Sequence, residues 1–435
     1  MKVAVIYPEV YDLARFREKR KEFPPFGVLY LSSVMEQNGV NVEMFKINPD
    51  NISLDLRDFD AVAYSIPSSA TYGLVKRSRF SSQFSNNALI MVGGVHPNFY
   101  PEKTLLDIKP DVVGVGEGED TIIELLQEVQ TKNFQHIKGV CYMSDGLPVQ
   151  TPPREIIRDI DQLPLPARHL LNAEDFIMND RLSNTDMRMA HVMFSRGCPF
   201  PCRFCAASQT RMQYRSGDSA RSELLHLKET YGIEGFAIVD DNFIVNKRKV
   251  HEISTSIKDL GLMWSALSRV DTVDENLLNA MHSAGCLEIK YGMESGSPRI
   301  LAAMRKKITP DQIRYAVKTS VKIGIKVKLF LIHGYPGENE ETTVETIKLL
   351  QELSKCIERV SLFRFVPLPG TYVFEHPEEF VLHNISESED DWDKYHIHHN
   401  DRHWWGSDAD FESVNKSYDE IHSVVNELWP SKLGG

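Results

Sequence analysis

Apolar and polar positions divide the chain into two alternating kinds of segment. Residues 3–7, 42–47, 61–66, 88–92 and 111–115 are short apolar runs of the kind that form strands buried on both faces. Residues 27–37, 72–84 and 121–129 carry helical spacing between them, and the first of these ends at Asn38-Gly39. Strand and helix alternating in this way predict a parallel, doubly wound, Rossmann-like sheet over residues 1–135. In such a sheet ligands bind at the carboxyl ends of the strands, here Ser65 to Ser69, Gly93-Gly94-Val-His96 and Gly116-Glu-Gly-Glu119.

Residues 136–187 read as a connector. Runs 138–143 and 147–151 predict a hairpin across Ser144-Asp-Gly146, and Pro152-Pro153 with Leu163-Pro-Leu-Pro166 predicts extended, exposed chain. From 188 to 375 the strand–helix alternation resumes, with apolar runs at 191–195, 236–240, 262–267, 287–292, 327–333 and 360–366 and a helix over 309–323. Six units predict a partial (β/α)6 barrel rather than a closed eightfold one, with the chemistry at the carboxyl ends of its strands. Residues 376–435 break the pattern and read as a capping extension that ends in a helix over 418–428.

Composition narrows the function classes. The chain has 435 residues, 42% apolar and 25% charged, which is ordinary globular usage and enough for two large domains. No apolar stretch approaches the roughly 18 residues of a membrane span. A formal charge of -12 argues against a nucleic-acid surface, and the basic run Arg17-Glu-Lys-Arg-Lys21 reads as a solvated face. The opening MKVAVIYP carries no secretory pattern, so a cytoplasmic location with reduced thiols is expected.

Three of the six cysteines stand together in Cys198-Pro-Phe-Pro-Cys202-Arg-Phe-Cys205. Iron–sulfur clusters are normally held by four thiolates, so three on one loop would leave one iron open to an outside ligand. A zinc site would need a fourth partner, for which His191 is a candidate. Cys141, Cys286 and Cys356 are scattered and read as small buried hydrophobes.

This C-x3-C-x2-C run resembles the signature of the radical S-adenosylmethionine (SAM) superfamily. The resemblance implies a [4Fe-4S] cluster on Cys198, Cys202 and Cys205, whose open iron chelates the amino and carboxylate groups of SAM. One electron then splits SAM into methionine and a 5'-deoxyadenosyl radical. It assigns the methionine amine to Asp240 or Asp241, a choice left open, and the methionine carboxylate to the planar fork of Arg269. Tyr291-Gly-Met-Glu294-Ser295-Gly-Ser297 is similar to the family's Gly-x-Glu-Ser-Gly segment, with Glu294 accepting ribose hydroxyls, Ser295 adding a polar contact, and Phe204 offering backbone to adenine. From the residues alone Asp240-Asp241-Asn242 could be a helix cap, Arg269 a salt bridge with Asp271, and Lys290 a partner of Glu294. His333-Gly-Tyr-Pro-Gly337 and Pro367-Leu-Pro-Gly370 resemble family turns that shape loops, with His333 structural.

The amino-terminal pieces PPFGVLYLSSVMEQNG, VGGVHP and DVVGVGEGEDT are similar to the cobalamin-binding domain that precedes the radical SAM domain in one large subfamily. The resemblance implies cobalamin near Ser65, Gly93, Gly94, His96 and Gly116. The subfamily's Asp-x-His-x-x-Gly motif, whose histidine ligates cobalt, is absent after the first strand, and His96 reads as a turn or supporting residue.

The expected activity is hydrogen abstraction from a small polar substrate followed by cobalamin-dependent C-methylation, with a one-electron reductant such as flavodoxin or ferredoxin. Radical deoxygenation, epimerisation or cyclisation with a cobalamin-free first domain is the alternative. A redox-sensing cluster protein would show no SAM cleavage, and a methylthiotransferase would carry three further cysteines in its first domain. Trp392, Tyr395, His396, His398, His399, His403, Trp404 and Trp405 form an aromatic and His-rich tract, expected to cap a barrel mouth or pack a partner surface.

Overall fold

The computed structural model describes residues 1–9, 23–180, 187–385, 391–396 and 402–430. The run Arg17 to Lys21, His398 and His399 lie outside the described residues. The chain forms two compact units, Met1–Ala173 with Ser386–His396, and Glu174–Ile385 with Ile397–Gly435.

In the first unit the apolar runs become β1 (Lys2–Pro8), β2 (Asn41–Ile47), β3 (Ala61–Ser65), β4 (Leu89–Gly93) and β5 (Val112–Gly114). They pair in parallel in the order β2-β1-β3-β4-β5, so the strand order reverses between β1 and β3. Val3, Ala4, Val5 and Ile6 are all buried, the continuous apolar run that helices on both faces demand. Those helices are α1 (Phe26–Gln37), α2 (Tyr72–Ser81), α3 (Pro101–Ile108) and α4 (Glu119–Gln127).

The expected hairpin is present as β6 (Val140–Ser144) and β7 (Leu147–Gln150), turning through Asp145 at φ 50° and Gly146 at φ 80°. Two residues with positive φ make the turn whose twist suits a two-residue hairpin. The hairpin pairs antiparallel to β5 and extends the first sheet to seven strands. Residues 136–173 therefore belong to the first unit rather than to a free connector.

The second unit is built on β8 (Met178–Asp180), β9 (Met187–Val192), β10 (Gly235–Ile238), β11 (Met263–Ser268), β12 (Cys286–Glu294), β13 (Lys326–His333) and β14 (Arg359–Arg364). Strands β9 to β14 pair in parallel in sequence order, and the sheet does not close on itself. This is the six-unit partial barrel the pattern predicts. The antiparallel edge strand β8 is unforeseen, being three residues long and too short for any periodicity.

Helices α5 (Gly217–Tyr231), α6 (Lys247–Ile257), α7 (Glu275–Ser283), α8 (Pro310–Ile323) and α9 (Glu340–Leu353) connect the strands. Local chemistry sets their ends. The α8 helix starts at a Thr309–Gln312 capping box with proline in its first turn and stops at Gly324, φ 103°. The last helix, α10 (Asp408–Leu428), begins well before residue 418, because Ser407 and Asp410 cap each other's backbone. No helix among the described residues is long and apolar enough to cross a membrane.

Candidate functional site

The cysteine loop leaves β9 through a two-stranded ribbon, Ser195–Arg196 against Gln213–Tyr214. Gly197 opens it at φ 87°, where an added Cβ would lie 2.3 Å from the Arg211 carbonyl oxygen, so only glycine fits. The loop is tied by its own backbone. Thr210 N–H donates to the Cys198 carbonyl at 2.9 Å, Cys198 N–H to Thr210 Oγ1 at 2.8 Å, and Arg203 N–H to the Met304 carbonyl at 3.0 Å. Cys198, Cys202 and Cys205 all carry free thiols. Among the described residues no three His, Cys, Asp or Glu side chains converge on one ion. A cluster needs its thiolates on separate irons.

Two cations flank Cys202. Arg269, at the end of β11, donates from Nη1 toward Cys202 Sγ at 3.5 Å and lies 3.9 Å over the Phe200 ring. Burial pushes the Cys202 thiol up, while the nearby Lys306 and Arg269 charges pull it down. Cys205 is pushed up to about 11 by burial. Thiolates are the ligating form, and positive neighbours favour them.

Arg269 is almost wholly committed inside the protein. Its Nε and Nη2 engage Asp271 bidentately, each at 2.9 Å, and Nη2 also donates to the Lys306 carbonyl. The fork that the resemblance gives to a methionine carboxylate is thus occupied by Asp271, as the salt-bridge reading of these residues has it.

Asp240 and Asp241 follow β10 and differ in their surroundings. Asp240 is buried and accepts from Phe194 N–H at 2.9 Å and Ser195 Oγ at 2.6 Å, bracing the start of the cysteine loop. Burial pushes its carboxyl up to about 8. Asp241 is exposed and accepts only from Gly197 N–H, at 3.2 Å, among the described residues.

Glu294 ends β12 in the left-handed region at φ 61°, after a shift of register against β13. A non-glycine residue there is strained, and such strain collects at functional sites. Its carboxylate pairs with Lys306 Nζ at 2.7 Å, both side chains being under a tenth exposed. A Cβ on Gly292 would fall 2.4 Å from Glu294 Oε1 and 2.8 Å from Lys306 Nζ, so glycine is what leaves room for the pair. The partner of Glu294 is therefore Lys306 and not Lys290. Strand alternation pointed to Lys290; the only trace of Lys306 in the sequence is the basic run after Met304. Ser295 is buried and holds the following turn through Ser297 N–H and Thr346 Oγ1. Phe204 packs against the Ile300, Met304 and Tyr335 cluster.

His333 is structural, held by Glu338 at 2.9 Å and Ser417 at 2.8 Å. Trp405 donates to the Gly334 carbonyl at 2.6 Å, and Trp404 is buried.

In the first unit the glycine turn after β4 packs on the loop after β3. Gly94 sits at φ 116°, and an added Cβ would be 2.7 Å from the Ile66 carbonyl oxygen. His96 is buried, with Nδ1 sharing a hydrogen bond with Ser69 Oγ at 2.9 Å. Burial pushes its imidazole down to about 3, so the ring is neutral. Trp392, from the returning stretch, stands edge-on to His96 with ring centres 4.7 Å apart, and Tyr72 lies 4.6 Å from His96 on the same cluster. This aromatic residue packs within the first unit.

His96 Nε2 and Trp392 Nε1 are buried without a hydrogen-bond partner among the described residues. Around Gly116, φ 90° and tied through its N–H to Asn98, a side chain would meet nothing within 4 Å. Gly93 likewise stands at a strand end beside the turn. Two unsatisfied nitrogens and an open glycine at the carboxyl ends of β3 to β5, beyond Ser65, fit a polar cofactor in this crevice. His96 itself is enclosed by aromatic rings, which suits a supporting role and not a cobalt ligand.

Comparison with known proteins agrees with both units. Residues 192–350 match the radical SAM superfamily and residues 16–126 the B12 binding domain. An uncharacterized methyltransferase of Pyrococcus horikoshii, PH0819, is 33% identical over 86% of this chain and 83% of its own length. The anaerobic magnesium-protoporphyrin IX monomethyl ester cyclase of Rubrivivax gelatinosus is 25% identical over 86% of this chain and 70% of its own. The radical SAM methyltransferase TsrM of Kitasatospora setae, solved with cobalamin and a [4Fe-4S] cluster, superposes with a TM-score of 0.72 at 14% identity, covering 98% of this chain and 89% of that one. The chain belongs to the radical SAM superfamily, in the branch that carries an amino-terminal B12 binding domain.

Proposed function

We propose that this protein is a cobalamin-dependent radical SAM enzyme that C-methylates a small polar substrate. The observation that carries the reading is the surround of Cys202, where a three-thiolate loop, the Arg269 guanidinium and the buried Glu294–Lys306 pair meet. The chemistry supplied by the bound groups is reductive cleavage of SAM to a 5'-deoxyadenosyl radical and, from a methylated corrinoid, a methyl group for the substrate carbon.

The chain's own residues bind and orient. Cys198, Cys202 and Cys205 would hold the cluster, with Arg269 stabilising the thiolate form of Cys202. Asp241, exposed and lightly engaged, suits the methionine amine, while Asp240 braces the loop behind it. Glu294, paired with Lys306, would accept the ribose hydroxyls in hydrogen bonds. Ser295 fixes the turn that aims Glu294, and Phe204 would lie along the adenine. In the first unit Ser65, Gly93, Gly94, His96 and Gly116 line the corrinoid crevice. A one-electron reductant of the flavodoxin or ferredoxin type and a cytoplasmic location complete the reading.

Anaerobic reconstitution tests it. With reductant and SAM the protein should release 5'-deoxyadenosine, bind stoichiometric corrinoid, and pass label from methyl-labelled SAM to product. Cys198→Ala should abolish 5'-deoxyadenosine formation. Similarity to a cyclase favours the second reading, radical chemistry without methyl transfer, which would show 5'-deoxyadenosine but no label in product.

A further inference from the structure

The stretch from Ser295 to Pro310 carries Arg299, Arg305, Lys306 and Lys307 and no Asp or Glu, in a chain whose formal charge is -12. Its apolar positions Ile300, Leu301, Met304 and Ile308 are buried and hold it against the second unit. Lys306 turns inward to Glu294. Arg305 and Lys307, on either side of it, are exposed, and both take left-handed backbone, at φ 49° and 55°. Residues other than glycine are strained there, and such strain persists only where the surroundings hold it. The strained turn buries one cation and keeps two outside.

The turn is fastened to the cysteine loop. Arg203 N–H, between Cys202 and Cys205, donates to the Met304 carbonyl at 3.0 Å, and Lys306 Nζ lies 5.8 Å over the ring of Phe204. The Arg305 guanidinium lies 5.5 Å from the centre of the Tyr372 ring, and that of Arg203 lies 4.6 Å from the same ring. The Arg203 charge is matched by Glu379 at 2.8 Å, which also accepts from the Tyr372 hydroxyl at 2.9 Å. The head groups of Arg305 and Lys307 have no hydrogen-bonding or ionic partner among the described residues. Glu375 and Glu378 are exposed on the neighbouring segment, so the positive patch ends at the turn itself. Unmatched surface charge of one sign attracts a partner of the other and speeds its encounter.

We infer that the turn bearing Arg305 and Lys307 is the docking surface for an electron-carrier protein with a carboxylate-rich face. A carrier seated there stands against the loop that would hold the cluster, gives up one electron to it and exchanges no atoms. The inference rests on the radical SAM reading and names the surface at which the reductant of that reading is met.

Oxidised flavodoxin, a purified acidic carrier, is the probe, titrated onto the cluster-reconstituted full chain in biolayer interferometry without SAM. Arg305→Glu with Lys307→Glu should weaken binding by roughly tenfold or more, and Arg305→Lys with Lys307→Arg, which keeps both charges, should stay within about threefold of wild type. Raising salt from about 50 to about 300 mM should weaken wild-type binding by roughly tenfold and binding to the charge-reversed variant far less. With flavodoxin reduced, 5'-deoxyadenosine release by the charge-reversed variant should fall by a similar factor. Release driven by dithionite, which needs no docking, should stay within about twofold of wild type. Wild-type protein that does not bind flavodoxin, or a charge-reversed variant that binds it equally well, overturns the inference. A dithionite-driven rate that falls as far as the flavodoxin-driven one also overturns it, since the turn then serves the SAM site. The reading beneath it is judged separately, by dithionite-driven release from the wild-type protein with SAM. Release without flavodoxin binding removes the docking surface alone.

Discussion

Replacing Lys306 by methionine isolates the buried pair at the end of β12. The substitution keeps most of the apolar stem and leaves Glu294 as an uncompensated charge in a site where both side chains are under a tenth exposed. Breaking one partner of a buried pair costs about 3–5 kcal/mol, chiefly through the charge left behind. At roughly 2–4 °C per kcal/mol for a unit of this size, the second unit should melt roughly 6–20 °C lower. Glu294→Gln with Lys306→Met removes both charges and should recover more than half of that loss. The assay is differential scanning calorimetry of the three proteins, following the transition of the second unit and checking that the first is unmoved. A loss under about 2 °C in Lys306→Met, or a double variant as unstable as the single one, would refute the reasoning, since the desolvated charge is its whole basis. Glu294→Gln alone should weaken SAM binding by roughly 10-fold to 100-fold, the worth of hydrogen bonds to a charged acceptor, in equilibrium dialysis.

The remaining expectations concern the first unit. Gly94→Ala puts a Cβ 2.7 Å from the Ile66 oxygen at a φ of 116°, so it should lower the stability of the first unit by about 1–3 kcal/mol and reduce corrinoid uptake, read by absorbance after desalting. Trp392→Ala opens a large cavity in a fully buried cluster and should cost about 3–5 kcal/mol in the first unit's transition, with the second unit's cluster content unchanged. His96 is held neutral in the folded state, with its pKa down to about 3, whereas the unfolded chain takes up a proton below about 6.5. Stability from this group is therefore complete above pH 6.5 and falls as the pH drops toward 3, by up to roughly 3 kcal/mol at pH 4. His96→Gln should flatten that limb of the denaturation profile, and an unchanged slope would show that the imidazole does not drive it.

What the sequence disclosed and what it hid divide along the range of the interactions involved. Strands β1 to β5 and β9 to β14 were legible because each is an apolar run bounded by turn residues, and the Asp145-Gly146 hairpin because its turn chemistry is local. The three thiolates were legible because they share one loop. The choice between Asp240 and Asp241 was not, since both stand at the same strand end. Only the fold shows Asp240 spent on Phe194 and Ser195, more than forty positions earlier in the chain.

Arg269 and Glu294 carry the same point into the chemistry. Strand alternation offered Lys290 as the partner of Glu294, and it fails because the register shift and the left-handed turn at Glu294 swing the carboxylate toward Lys306, twelve residues on. Lys306 then does two things no motif announces. It pairs with the Glu294 carboxylate, and its backbone carbonyl accepts a hydrogen bond from the Arg269 guanidinium that reaches Cys202. The cysteine loop and Glu294 are thus joined through one lysine residue, by its side chain at one end and its main chain at the other. Loss of the Lys306 side chain should disturb Glu294 while leaving Arg269 in place, and that asymmetry separates a SAM-binding defect from a cluster-assembly defect within a single variant.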